Sequence, residues 1–180
     1  MQTFKGGVHP PEYKESTQDL AIEDCPLPEI AYVSLGQHLG KPAKPIVQVG
    51  DSVEEGQMIA EADGFISANI HAPISGTVKK IAKAPQVAGT NVDTIIIERN
   101  KDIPPKEWTK KKLKPTDINL ETFINTLKTK GIVGLGGAVF PTHVKFMLKP
   151  DQKLHTIMIN ACECEPYLNV DYRTILEETD

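Results

Sequence analysis

The chain has no long hydrophobic run. Its longest apolar stretches, such as Thr94 to Ile97 and Thr156 to Ile159, are far shorter than the roughly 20 residues a membrane-spanning helix needs. No segment is therefore expected to cross a bilayer, and membrane association is expected through partners only. Met1 to His9 lacks the apolar centre of a secretory signal and carries Lys5 and two glycines instead, so the expected compartment is the cytoplasm. Excess positive charge is also missing. A net charge of −4 and a pI near 5.8 argue against nucleic acid as a partner, because phosphate binding needs cationic surface. The one basic run, Lys106 to Lys114, is local and flanked by prolines, which suits a solvated linker. Cysteine is scarce: Cys25, Cys162 and Cys164 make an odd set with no disulfide framework, which suits a reducing compartment. The C-x-C pair, even with Cys25, falls short of the about four ligands of a zinc or iron–sulfur site. These thiols are expected to be small residues at a strand end lining a pocket, and no metal ligand is assigned.

Within 180 residues, 39% hydrophobic and 24% charged side chains allow one or two small globular domains. From Pro45 to about Arg99 short β-type runs alternate with Gly, Asp and Pro turns, and helical periodicity is absent. The two central stretches read Ile46-Val-Gln-Val-Gly-Asp-Ser-Val-Glu-Glu-Gly-Gln-Met-Ile-Ala60 and His71-Ala-Pro-Ile-Ser-Gly-Thr-Val-Lys-Lys-Ile81. This text resembles the lipoyl and biotinyl carrier domains, which implies a sandwich of two hairpin-rich sheets. One position departs from that family. Carriers hold a lysine on the hairpin tip seven residues before the Ala-Pro alanine, and counting back from Ala72 gives Phe65 in the tip Ala62-Asp-Gly-Phe-Ile66. Without an amine there is nothing to acylate, so the module is expected to pack or dock.

Residues 101–115, rich in Lys and Pro, read as a linker that few contacts cross. Beyond it Ile118, Leu120, Phe123, Ile124 and Leu127 recur at helical spacing, with Thr116 or Asp117 available as N-cap and Gly131 as a stop. A glycine loop follows, then a helix expected from about Thr142 to Lys149 ended by Pro150, a strand Thr156–Asn160, and a helix from Asp171 to Glu178. The expectation is α+β overall: an all-β barrel-sandwich module over 1–100, the linker, and the start of an α/β domain over 116–180, with a sheet edge left unpaired around Thr156 to Asn160.

In Gly131-Ile-Val-Gly-Leu-Gly-Gly-Ala-Val-Phe-Pro-Thr-His-Val-Lys145, glycines let backbone amides approach an anion, a helix follows, and Lys145 adds a full positive charge. Neither the G-x-x-x-x-G-K-[ST] loop nor the G-x-G-x-x-G fingerprint is present. The text from Gly134 to Lys145, with Asn160-Ala-Cys-Glu-Cys-Glu-Pro-Tyr167, resembles the FMN- and NADH-binding module shared by the flavoprotein subunit of respiratory complex I and the C subunit of the Rnf complex. Thr3-Phe-Lys-Gly-Gly-Val-His-Pro-Pro11, the lysine-less module, Tyr167 and Asp171-Tyr-Arg173 look like the Rnf branch. The complex I branch has aspartate where Cys162 stands and glycine where Tyr167 stands, so nothing is carried over from those two positions.

That resemblance implies FMN held by the amides around Gly134, Gly136 and Gly137 with Lys145. It implies Asn160, Glu163 and Glu165 against ribityl, flavin or nicotinamide, and Phe140 stacked on a dinucleotide ring. Two acids at a strand end suit the place where open α/β sheets bind ligands. No side chain is assigned as a catalytic acid or base. The implied role is in an electron-transfer subunit of an NADH:ferredoxin-type oxidoreductase that moves ions, peripheral on the cytoplasmic face of the bacterial inner membrane. Its expected partners are the other Rnf subunits and a ferredoxin-type carrier. 4Fe–4S clusters are expected only beyond Asp180, and residues 1–180 alone are expected to be inactive. The competing reading is a non-catalytic assembly scaffold of a related quinone-reductase complex with no working flavin site.

Overall fold

The computed structural model describes residues 10–86, 89–109, 118–149, 151, 155–156, 158–163 and 165–178. Contacts divide the chain into two units, one spanning 27–152 and the other formed by 1–26 with 153–180.

The first unit opens with seven strands: β1 Ile30–Ser34, β2 Lys44–Pro45, β3 Ser52–Val53, β4 Met58–Glu61, β5 Ile70–His71, β6 Gly76–Pro85 and β7 Asn91–Arg99. They form a four-stranded sheet in the order β1-β7-β6-β3 and a three-stranded sheet β2-β4-β5, with antiparallel pairing throughout. This is the two-sheet module expected from the turn-rich text. Alternation sorts the side chains: Ala31 and Val33 of β1 point inward while Ile30 and Tyr32 stay exposed, as a half-covered sheet requires. Val53, Ile59, Ile74, Val78, Ile95 and Ile97 are fully buried at the centre. Gly76 opens β6 where a Cβ would lie 2.0 Å from the Glu98 carbonyl oxygen, so only glycine lets β6 start that close to β7.

The described part of the expected linker is less bare than composition suggested. Trp108 donates from Nε1 to Glu55 Oε1 at 2.9 Å, and the Lys106 N–H donates to Glu55 Oε2 at 3.1 Å. The indole lies over Gly56, where a Cβ would come within 2.5 Å of it. One carboxylate thus ties this segment to the turn before β4. The remainder of the run, 110–117, lies outside the described residues.

After it α1 spans Leu120–Thr129. The expected caps Thr116 and Asp117 also lie outside the described residues; the cap is Asn119, whose side-chain oxygen accepts from the Thr122 N–H at 2.8 Å. The helix ends as expected at Gly131 (φ +66). There the Gly131 N–H donates to the Lys128 carbonyl and the Ile132 N–H to the Leu127 carbonyl, the paired bonds of a Schellman stop. The next helix, α2, is shorter than expected, Thr142–Lys145. Past it the chain continues in turns as far as the Leu148 N–H, which donates to the Phe146 carbonyl; Pro150 lies outside the described residues.

In the second unit α3 covers Val170–Glu178. Among the described residues the strand expected at Thr156–Asn160 is not formed: Thr156, Met158, Ile159 and Asn160 belong to no strand, and Ile157 lies outside the described residues. Met158 and Ile159 are 88% and 86% exposed. A strand is defined by the neighbour that takes its backbone hydrogen bonds, and among the described residues none pairs with this segment.

Ile95 sits in β7, which pairs with β1 on one side and β6 on the other, and its side chain is fully enclosed. Ile95→Ala is expected to lower stability by about 2–5 kcal/mol, as for other buried isoleucine truncations. Urea unfolding followed by circular dichroism measures it.

Candidate functional site

The glycine segment folds as a closed loop. Val133 bridges Pro141, the Gly134 N–H donates to the Phe140 carbonyl at 2.9 Å, and the Thr142 N–H donates to the Ile132 carbonyl at 3.0 Å. At the crest the Val139 N–H donates to the Gly136 carbonyl at 3.0 Å. The glycines differ in what they do. At Gly136 and Gly137 an added Cβ would meet nothing within 4 Å, so packing does not demand glycine there, and the exposed backbone is open to a ligand. Their N–H groups have no protein acceptor among the described residues. Gly134 is different: its amide is already used within the loop, and a Cβ there would lie 3.7 Å from Lys145 Nζ. Lys145, exposed, stands 6.0 Å from the centroid of the half-buried Phe140 ring.

The expected contribution of a helix dipole is not supplied. A single turn that begins after Pro141, with no side-chain cap, has too few aligned peptides to focus positive potential. What the loop can offer an anion is therefore the open Gly136 and Gly137 amides and the Lys145 ammonium.

The three remaining expected residues belong to the second unit. Asn160 folds back on its own turn, its Oδ1 accepting from the Cys162 N–H at 2.9 Å. Glu163, expected at a ligand-facing strand end, is engaged by protein on both oxygens. Oε1 accepts from the Asp171 N–H at 2.8 Å in the first turn of α3, and Oε2 pairs with Lys14 Nζ at 3.2 Å. The side chains of Glu163 and Lys14 are only 7% and 21% exposed. Glu165 is exposed. Cys162 is exposed rather than packed away, although it lines a cleft of about 430 Å³ with Lys14, Gln18, Glu163, Asn169 and Tyr172; Cys164 lies outside the described residues. Five of the eight expected residues therefore share one loop of the first unit, and Asn160, Glu163 and Glu165 share a turn in the second.

The N-terminal segment explains why that turn is so well held. The Tyr167 N–H donates to the Glu12 carbonyl at 2.8 Å, and Tyr13 and Tyr167 stack with centroids 5.1 Å apart. Asn169 donates from Nδ2 to Thr17 Oγ1 at 3.0 Å. The Ile22 N–H donates to both Glu177 oxygens, which with Arg173 holds the Glu177 carboxyl below its ordinary value. Sequence reading missed Lys14, because no spacing in Glu12-Tyr-Lys14 distinguishes it from a solvated lysine. It also missed the histidines. His38, buried, accepts on Nε2 from the Ala68 N–H at 3.2 Å, which leaves Nδ1 to donate to the Leu39 carbonyl at 3.1 Å. His143 is buried with Nδ1 unpartnered. Tyr32, His38, His71, Thr94, Gly137 and Val139 are among the residues around an open cleft of about 990 Å³ that runs from the β module to the loop crest.

With this geometry in view, the comparisons are specific. Residues 2–102 match the family model of the RnfC barrel sandwich hybrid domain, and residues 127–180 match that of the Nuo51 FMN-binding domain. The chain belongs to the RnfC family. It is 40% identical, over its whole length, to the C subunit of the proton-translocating ferredoxin:NAD(+) oxidoreductase complex of Clostridium ljungdahlii, of which it covers 39%. Identity is 38% over 99% of the chain to the Na(+)-translocating counterpart of Acetobacterium woodii, of which 40% is covered. It is 40% over the whole chain to the C subunit of the ion-translocating oxidoreductase complex of Rhodobacter capsulatus, of which 35% is covered. The chain thus spans less than half of each of these RnfC relatives. The barrel-sandwich and flavin-domain architecture read from the sequence is the family's own, and no helix among the described residues is long and apolar enough to cross a membrane.

Two outcomes test this site. Lys14→Met leaves the Glu163 carboxylate enclosed without its cation and is expected to cost about 1–3 kcal/mol in thermal or urea unfolding, with Lys14→Arg close to wild type. The second concerns protons. Burial, and then the Lys128 charge, holds His143 below the ordinary 6.5, against a hydrogen bond to the Phe65 backbone. His71 is held down by burial and Lys130, against one to Thr129. A ring with a depressed folded pKa binds fewer protons folded than unfolded, so its stabilising contribution is complete above 6.5 and is lost as the pH falls through that value toward the folded pKa. The unfolding temperature should drop between about pH 7 and about pH 5, and His143→Gln should flatten part of that drop. Equal slopes would exclude a neutral buried His143.

Proposed function

We propose that this chain is the front part of an electron-transfer subunit that binds FMN and NADH and exchanges electrons with a ferredoxin-type carrier in an ion-translocating complex. The observation that carries the reading is the loop crest. Two glycines that packing does not require leave open amides, a lysine ammonium stands beside the same loop, and the segment lies inside the match to an FMN-binding domain. A phosphate monoester fits that donor set, which offers hydrogen bonds and positive charge without a competing carboxylate among the loop residues 131–145.

In this reading the Gly136 and Gly137 amides and Lys145 hold the FMN phosphate, with Gly134 shaping the loop that presents them. Phe140 gives an apolar ring for a dinucleotide base to lie on. Asn160 and Glu165 supply polar contacts to ribityl, flavin or nicotinamide, and Glu163, its oxygens taken by the Asp171 N–H and Lys14, fixes the turn that carries them. The chemistry FMN supplies when bound is hydride acceptance as an electron pair followed by release of single electrons. The protein's own residues bind and orient, and none is assigned a proton-transfer role. The domain bounds are 1–100, 101–115 and 116–180. The 4Fe–4S clusters belong to sequence beyond Asp180, the partners are the other subunits of the complex, and the place is peripheral, on the cytoplasmic face of the bacterial inner membrane. Residues 1–180 alone are inactive in this reading.

One observation favours a scaffold role for the first module alone: Phe65 stands where a carrier has its lysine. A scaffold role for the whole chain predicts a flavin-free protein. The full-length protein is expected to retain FMN through gel filtration, and Lys145→Glu is expected to lower retention by about tenfold or more, since it replaces attraction to the phosphate with repulsion. Flavin content equal to wild type in that variant removes Lys145 from the site, and a flavin-free wild type supports the scaffold.

A further inference from the structure

In carrier domains the hairpin tip is the working end. Here the tip and the loop beside it are fixed from within. Ser67, fully buried, donates from Oγ to the Lys41 carbonyl at 2.8 Å and accepts from the Asp63 N–H at 3.1 Å. The Lys41 N–H donates to the Ile66 carbonyl at 3.0 Å. Gly40 lies so close that a Cβ would sit 2.1 Å from that same oxygen. The His38 ring, bonded at both nitrogens, locks the adjoining Leu39 peptide to Ala68.

From this seat, contacts reach the chain on either side of the glycine crest. The Leu39 N–H donates to the Val139 carbonyl at 3.1 Å. Asn69 donates from Nδ2 to the Thr129 carbonyl at 3.4 Å, while its own carbonyl abuts Gly131, where a Cβ would come within 2.2 Å. Val139 points the same way. It is β-branched and held at φ +43, a conformation that persists only where the surroundings impose it. Its N–H is tied to Gly136 and its carbonyl to Leu39.

We propose that the tip of the β module, the place where a carrier offers its lysine, is, with its flanking residues Leu39 and Asn69, the seat that holds the glycine loop in its ligand-receiving shape. The module then works in cis, as a template for the loop. The proposal rests on the FMN reading of that loop.

The test uses the full-length protein, FMN fluorescence titration, and amide exchange at Leu39 in the flavin-free state. Asn69→Asp keeps the Oδ1 acceptor for the Ala62 N–H and loses the donor to Thr129. Ser67→Ala frees the tip from the Lys41 carbonyl. Each is expected to weaken FMN binding about threefold or more and to speed Leu39 exchange. Wild-type affinity and wild-type exchange in both variants overturn the proposal. A wild-type protein that binds no FMN, with the exchange difference intact, overturns the flavin reading and supports the tie between tip and loop. Should Ser67→Ala fail to fold, Asn69→Asp alone decides: faster Leu39 exchange with weaker FMN binding supports the proposal, and no change in either overturns it.

Discussion

The chain leaves its first helix through Gly131, in a left-handed conformation and pressed against the Asn69 carbonyl. That close approach is the constraint on which the candidate site depends. A side chain at 131 would strain the backbone and collide with the β module. Because there is none, the helix stops with its last carbonyls satisfied, and the next residues run alongside the module. The Val133–Pro141 bridge then closes the loop, so that Gly136 and Gly137 are left at its crest.

Among the described residues, the three non-glycine ones at positive φ, Tyr13, Val139 and Tyr167, all fall in or beside the segments that carry the family likeness. Each is tied in place: Val139 by Gly136 and Leu39, Tyr167 by the Glu12 carbonyl, and Tyr13 by its stacking on Tyr167. Strain of this kind is kept where surrounding contacts over-determine the chain, and here those contacts shape the glycine loop in one unit and the turn around Glu163 in the other. Electrostatics follow the same division. The loop is left with an exposed cation, Lys145, whereas the turn has its acid, Glu163, enclosed between a helix start and Lys14.

The lysine-less module gains a role from this arrangement. A tip with Phe65 in place of a carrier lysine has no acylated arm to present, so it can be bonded down. Ser67, His38 and Gly40 do that bonding. The result is an edge bonded from within, against which the glycine-rich loop lies through the Leu39–Val139 hydrogen bond.

The β module was legible because its signals are local: alternating side chains mark strands, Gly50 and Gly56 mark turns, and Phe65 stands plainly where a lysine would be. The glycine loop and the Asn160 to Tyr167 text were legible as motifs, and helix α1 by its periodicity and its glycine stop. The strand expected at Thr156–Asn160 was not, since a run of β-type residues becomes a strand only when another backbone takes its hydrogen bonds. The length of α2, the capping role of Glu163, the burial of His143, and the partners of Lys14 and His38 were equally out of reach. Each depends on atoms brought together from distant positions, as Lys14 and Glu163 are, 149 residues apart. Sequence by itself determined the residue types that could bind an anion and the phenylalanine at the carrier-lysine position. Tertiary structure decided which of those groups remain free to do so, because only packing shows which amides and carboxylates the protein has already used.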